Sequence, residues 1–266
     1  MAMDINPRVI LVPVDFSDVA NCAVRHALRI AHIVHGRMVL LHVVGCASSS
    51  DEAQQRLQVQ QHDLQQQGVC VDTMLRQADN VAQAIVRAVG EAQADVVVMG
   101  SEAIKRADAA ATSHTLSALS VCPVPVVVIQ TPPLSPRYDS IVFPIDHTLE
   151  NRDKHGWISY FCDNYLSHFY LIKPSTDSPQ LRAKVDMNMA SAMRFLDERG
   201  ARYTVQEVPG QKPYADEVLE AAVNIRADLI VLMTTPLQQR TQETLPEQRI
   251  LAQAYHIPVM CINSDR

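Results

Sequence analysis

Val9-Ile10-Leu11-Val12-Pro13-Val14-Asp15 is an apolar run that ends in a carboxylate, and Ile141-Val142-Phe143-Pro144-Ile145-Asp146 repeats it with Asp146 standing 131 residues after Asp15. Two further segments return in the same order. Ala94-Asp95-Val96-Val97-Val98-Met99 is echoed by Ala227-Asp228-Leu229-Ile230-Val231-Leu232, and Val124-Pro125-Val126-Val127 by Ile257-Pro258-Val259-Met260, both at an offset of 133. An offset that holds within two residues across three separated segments marks an internal duplication, so that either half can be used to read the other.

A chain of 266 residues with 47% hydrophobic content carries enough apolar material for two ordinary cores, in keeping with two copies of a domain of roughly 130 residues. The expected domains are residues 1–131 and 138–266, joined by a linker at 132–137. That linker lies in Thr131-Pro132-Pro133-Leu134-Ser135-Pro136-Arg137, a proline-rich stretch that forms a stiff connector instead of a helix or strand. The formal net charge of −6 and pI of 5.9 leave no basic surplus, which argues against nucleic acid and anionic membranes as partners. Met1-Ala2-Met3-Asp4-Ile5-Asn6-Pro7 lacks the basic and apolar regions of a signal peptide, and no apolar run approaches the roughly 18 residues of a membrane helix. A soluble, cytoplasmic protein is the expectation.

Cysteines stand at 22, 46, 70, 122, 162 and 261 without a Cys-x-x-Cys pair. Three of them, in or beside apolar runs, read as small buried hydrophobes. Cys22 and His26 share a helix face, but two ligands do not close a zinc site, and no metal is expected.

Within the first copy, short Val/Ile/Leu runs alternate with stretches of helical period, the pattern of a parallel sheet covered by helices. Strands are expected near 8–14, 37–43, 69–75, 95–99 and 125–129. Ala20, Ala23, Ala27, Ile30, Ala31 and Val34 form a small-residue stripe that lets a helix lie close on a sheet, and Asp15-Phe16-Ser17-Asp18 supplies its amino-terminal cap signals. A glutamine-rich helix over 51–67 has only Ala53, Leu57 and Leu64 as its apolar stripe. Val81, Ala84, Ile85 and Ala88 mark a third helix, and a fourth begins near Thr112 or Ser113. Gly68 and Gly90 fall where helices should stop.

The second copy predicts strands near 138–144, 168–173, 201–208, 228–232 and 258–262, with helices near 149–165, 178–199, 213–226 and 245–255. The last strand of each copy is almost wholly apolar and begins at a proline. Left open it would invite aggregation, so the two are expected to pair with each other and make the chain a pseudo-dimer of its own domain. A further homodimer and an unidentified protein partner stay open.

On Val12-Pro13-Val14-Asp15-Phe16-Ser17, Leu40-Leu41-His42-Val43-Val44, Ala94 to Gly100 and Cys122 to Ile129, the first half resembles a universal stress protein domain. Phe143-Pro144-Ile145-Asp146, Ala227 to Leu232 and His256-Ile257-Pro258-Val259 carry a thinner, collinear likeness through the second half, so the whole resembles the tandem members of that family. The resemblance implies an α/β fold of the adenine nucleotide alpha hydrolase-like kind: two tandem open parallel five-stranded sheets of order 3-2-1-4-5 with helices on both faces. Ligands of such sheets sit at the carboxyl ends of the strands where the winding reverses. In members that bind ATP, the Asp after the first strand and backbone near the end of the second hold the adenosine. The phosphates lie in a loop patterned Gly-x-x-Gly, about nine residues, then Gly-Ser or Gly-Thr, whose glycines let backbone N–H groups close on the oxygens.

By that resemblance Asp15, Val43, Gly100 and Ser113 are the candidate binding residues. The loop departs from the pattern, because Ala103 stands at the second glycine and Thr112-Ser113 replace the Gly-Ser pair. Glu102 sets a negative charge where phosphates would lie, with Lys105 and Arg106 as possible compensation. In the second half Thr234-Thr235-Pro236 and Leu245-Pro246 occupy the loop positions and no glycine follows Gly210. Pro236 has no N–H to donate, so a cradle of the family type cannot be built there, and Asp146 reads as a capping carboxylate.

No Gly-x-Ser-x-Gly elbow occurs, and the adjacent Ser113 and His114 point in different directions on a helix, so no catalytic residue is assigned. Trp157, Tyr160 and Phe161 read as core. Two functions stand: a non-catalytic stress-response or regulatory protein that needs no cofactor and works through its surfaces or an unidentified small ligand, and an ATP-binding, weakly hydrolysing switch confined to the first half.

Overall fold

The computed structural model describes residues 8–45, 50–101, 118–119, 121–135, 137–148, 154–234, 246–253 and 256–263. The chain divides into two compact units, Pro7–Leu134 and Ser135–Asp265.

The first unit runs β1 (Val9–Pro13), α1 (Asp18–Val34), β2 (Arg37–Val44), α2 (Asp51–Gln65), β3 (Cys70–Gln77), α3 (Val81–Ala92), β4 (Val96–Gly100) and β5 (Val126–Ile129). Its strands lie in the order β3-β2-β1-β4-β5 with every neighbour parallel. Parallel crossovers are right-handed, which places α1 and α2 on one face of the sheet and α3 on the other. The winding therefore reverses between β1 and β4.

The second unit comprises β6 (Ser140–Pro144), α4 (Lys154–Tyr165), β7 (His168–Pro174), α5 (Pro179–Asp197), β8 (Arg202–Val208), α6 (Tyr214–Ile225), β9 (Leu229–Met233), α7 (Pro246–Gln253) and β10 (Val259–Ile262). Its order, β8-β7-β6-β9-β10, is the same arrangement, again parallel throughout. The duplication holds at the level of register: Val9 faces Arg37 in one unit and Ser140 faces His168 in the other, each partner displaced by 131 residues.

The repeated Ala-Asp motif has a structural task. One oxygen of Asp95 accepts the backbone N–H groups of Arg8 and Val9, both at 2.9 Å, and Asp228 accepts those of Asp139 and Ser140 at 3.1 and 3.0 Å. Each carboxylate thus satisfies amides at the amino end of its unit's first strand, away from the carboxyl ends where ligands sit.

Burial follows the position of each strand. β4, β5, β9 and β10 are buried along nearly their whole length, whereas the edge strand β8 is exposed from Thr204 to Glu207. Helix α2 buries Ala53, Leu57 and Leu64, the stripe read from its sequence. Trp157, Tyr160 and Phe161 are core: Tyr160 meets Trp157, Phe161 and Tyr165 edge-to-face, and Phe161 meets Phe143.

Two local expectations are corrected. Gly68 takes a positive φ of 85° after α2, as a helix stop requires, but Gly90 lies inside α3, which ends instead on Gln93 in the left-handed conformation. Cys70 is exposed at the start of edge strand β3, while Cys122 and Cys261 are buried; an apolar neighbourhood in sequence does not cover a residue whose strand has an open side. The start expected for a fourth helix of the first unit, Thr112 or Ser113, lies outside the described residues.

Candidate functional site

In the first unit a cleft of about 320 Å³ opens at the carboxyl ends of the strands, where the winding reverses between β1 and β4. Pro13, Val14 and Asp15 border it from the end of β1, Leu41 and Val43 from β2, Val81 and Ile85 from α3, and Met99, Gly100 and Ser101 from the end of β4. Its wall is mostly apolar, and Asp15, Ser17 and Ser101 supply the polar side chains.

Asp15 is placed by a tight turn. One carboxylate oxygen accepts from the Ser17 N–H at 3.0 Å and from the Ser17 hydroxyl at 2.6 Å, and the Ser17 hydroxyl oxygen in turn accepts from the Ala20 N–H at 3.2 Å as the cap of α1. The intervening Phe16 sits at φ 64°, an uncommon conformation for a bulky side chain. Its ring lies against His42, with centroids 4.6 Å apart, and under the Arg56 guanidinium at 4.1 Å. The His42 Nδ1–H donates to the Val14 carbonyl at 2.6 Å, so the backbone just before Asp15 is tied to β2.

Three of the four candidate residues, Asp15, Val43 and Gly100, meet at this cleft; Ser113 lies outside the described residues, as do Glu102, Ala103, Lys105, Arg106 and Thr112. Gly100 has a packing reason independent of any ligand. A Cβ there would stand 2.6 Å from the Val19 carbonyl oxygen, so only glycine lets β4 end against the first turn of α1. Leu41, Val81 and Ile85 were not among the candidates, although Val81 and Ile85 were legible as the apolar face of α3.

The second unit repeats the carboxylate turn. Asp146 accepts from the Thr148 N–H at 2.9 Å and the Thr148 hydroxyl at 2.6 Å, and Asn188 donates to the Asp146 and Thr148 carbonyls at 2.8 and 2.7 Å. Asp146 is therefore a turn carboxylate, locked from a neighbouring helix. Met233 ends β9 at the position that Gly100 holds in β4. Thr235, Pro236 and Leu245, which carried the argument against a phosphate cradle, lie outside the described residues. On α6, the buried Glu217 accepts backbone N–H groups of Gly210, Gln211 and Lys212 at 3.1, 2.8 and 3.3 Å, which fixes the loop from β8.

His26 is spent on structure. Its Nε2–H donates to the Thr131 carbonyl at 3.1 Å and its Nδ1 faces the Arg29 guanidinium at 3.4 Å. Burial, together with the Arg29 charge, lowers its pKa to about 4, and its ring is not free to join Cys22 as a ligand. Among the described residues no cluster of three or more His, Cys, Asp or Glu is arranged to hold a metal, and no helix is long and apolar enough to cross a membrane.

Residues 7–130 match the model of the universal stress protein family. No curated protein matches the chain. Among solved structures, a universal stress protein from Archaeoglobus fulgidus DSM 4304 has a TM-score of 0.79 at 13% identity, over 97% of this chain and 99% of that one. A functionally unknown protein from Pseudomonas aeruginosa PAO1 has a TM-score of 0.69 at 19% identity, over 97% and 92%, and a universal stress protein described as putative from P. aeruginosa UCBPP-PA14 has 0.68 at 19%, over 97% and 93%. These likenesses speak for the fold.

Proposed function

We propose, from the match of residues 7–130 to the universal stress protein family, that the chain is a non-catalytic stress-response or regulatory protein, acting through its surfaces or a small ligand held in the cleft of its first unit. The observation that carries the ligand reading is the cleft itself: about 320 Å³, largely apolar, with Asp15 at its rim. That volume lies at the small end of ordinary ligand sites.

The non-catalytic reading is supported by the polar groups of the cleft. The Ser17 hydroxyl is engaged between Asp15 and the Ala20 N–H, which makes it a helix cap and not a nucleophile awaiting a base. The second reading, an ATP-binding switch with weak hydrolysis in the first unit only, is supported by Asp15, Val43 and Gly100 meeting at one place, and opposed by the loss of glycines at Ala103 and Thr112.

Thermal unfolding across millimolar ATP separates the two. Saturation at 100-fold over the dissociation constant adds about 2.7 kcal/mol to stability, so a flat response removes the ATP reading. A rise that Asp15→Ala abolishes and Asp146→Ala leaves intact establishes it and assigns it to the first unit.

The domain limits of 1–131 and 138–266, and the pairing of the terminal strands with each other, belong to the same proposal. The pairing rests on the apolar character of two strands that each begin at a proline. Hydrogen exchange tests it: amides of 126–129 and 259–262 should be as protected as those of β1, and rapid exchange at either strand refutes the pairing.

A further inference from the structure

The two units differ at a position that the duplication equates. Val81 opens α3 and Tyr214 opens α6, 133 residues apart, the same displacement that relates β4 to β9. In the first unit Val81 lines the cleft together with Val14 and Leu41. In the second, the Tyr214 hydroxyl donates to the Ile172 carbonyl at 2.6 Å and lies 3.4 Å from that of Ile145. Ile145 and Ile172 are the register counterparts of Val14 and Leu41: Ile145 donates its N–H to the Ile172 carbonyl as Val14 does to that of Leu41.

From this correspondence we infer that Tyr214 is a built-in occupant: its phenol fills the place in the second unit that stands open as a ligand cleft in the first, so among the described residues this position offers a small-molecule site in the first unit and not in the second. The phenol reaches from the start of α6 to the carboxyl ends of β6 and β7, and its hydroxyl meets a carbonyl that a ligand's donor would otherwise meet. Burial and the nearby Asp146 raise the phenol well above its usual pKa, which keeps it protonated as a donor. Glu217, one turn further along α6, holds the preceding loop by three backbone N–H groups, so the segment that presents Tyr214 is fixed from both sides.

Methyl NMR of the full chain with p-cresol as probe tests the inference. In the wild type, p-cresol should shift the methyl signals of Leu41 and Ile85 and leave those of Ile172 and Val218 unmoved. Tyr214→Val, which installs the first unit's residue, should make Ile172 and Val218 respond as well, while Tyr214→Phe, which keeps the ring, should not. The reciprocal Val81→Tyr should silence Leu41 and Ile85.

A response of Ile172 and Val218 in the wild type overturns the inference, and so does their silence in folded Tyr214→Val. Failure of Tyr214→Val to fold overturns it too, since the ring would then be core and not an occupant. The inference rests on the cleft reading only in its first-unit arm: silence of Leu41 and Ile85 in the wild type sinks the proposed ligand site, while the second-unit arm still decides the role of Tyr214.

Discussion

Two glycines show how far identical residues can differ in what they do. Gly100 cannot accept a methyl group without driving it to 2.6 Å from the Val19 carbonyl oxygen, whereas a Cβ on Gly90, within α3, would meet nothing within 4 Å. Gly100→Ala should therefore destabilise the protein by about 1–3 kcal/mol, the usual cost of overpacking. Gly90→Ala should stabilise it by roughly 0.5–1 kcal/mol, because a helix-interior glycine carries an entropic cost that alanine lacks. Urea unfolding measures both, and two changes of the same sign would contradict the geometry. The consequence for function is that Gly100 alone is weak testimony for phosphate binding, since packing already demands it.

At the scale of elements, α1 connects the candidate cleft to the segment that follows β5. Its amino end is capped by Ser17 beside Asp15, and two turns later His26 reaches from it to the Thr131 carbonyl. His26 has a folded pKa of about 4 against an ordinary 6.5, so the unfolded chain binds a proton at a higher pH than the folded one. Its contribution is complete above pH 6.5 and is lost as pH falls from 6.5 toward 4. A displacement of this size corresponds to roughly 3 kcal/mol at the acid end. Thermal midpoints measured between pH 7 and pH 4.5 should fall in the wild type and fall less in His26→Gln; parallel curves would show that other groups set the acid sensitivity.

At the scale of the whole molecule, each unit has buried strands at the reversal of winding and its more exposed strand, β3 or β8, at the far edge. Protection from hydrogen exchange should follow: β1 and β4 above β3, and β6 and β9 above β8, where four consecutive residues are exposed. Comparable exchange across either sheet would contradict this gradient. The units share a topology and a turn carboxylate, Asp15 or Asp146, but diverge where a ligand would sit: an open cleft beside Val81 in one, a tyrosine hydroxyl on the Ile172 carbonyl in the other. The scaffold is thus common to both units while these equivalent positions differ.

Strand and helix extents were legible in the chain because they are written in local spacing. The alternation of short apolar runs with helical periods predicted a parallel sheet, the repeat of Val9–Asp15 at Ile141–Asp146 predicted a second copy, the alanine stripe of α1 predicted its buried face, and Asp15-Phe16-Ser17 predicted its cap. The same local reading misjudged Gly90 and Cys70, where the deciding fact is how a helix continues or which side of an edge strand is covered. Tertiary structure alone decided that Gly100 abuts Val19, that His26 meets Thr131, and that Tyr214 reaches Ile172. Each of these contacts joins residues dozens of positions apart, at distances set by the packing of helices on sheets. No period of 2 or 3.6 residues encodes such a distance.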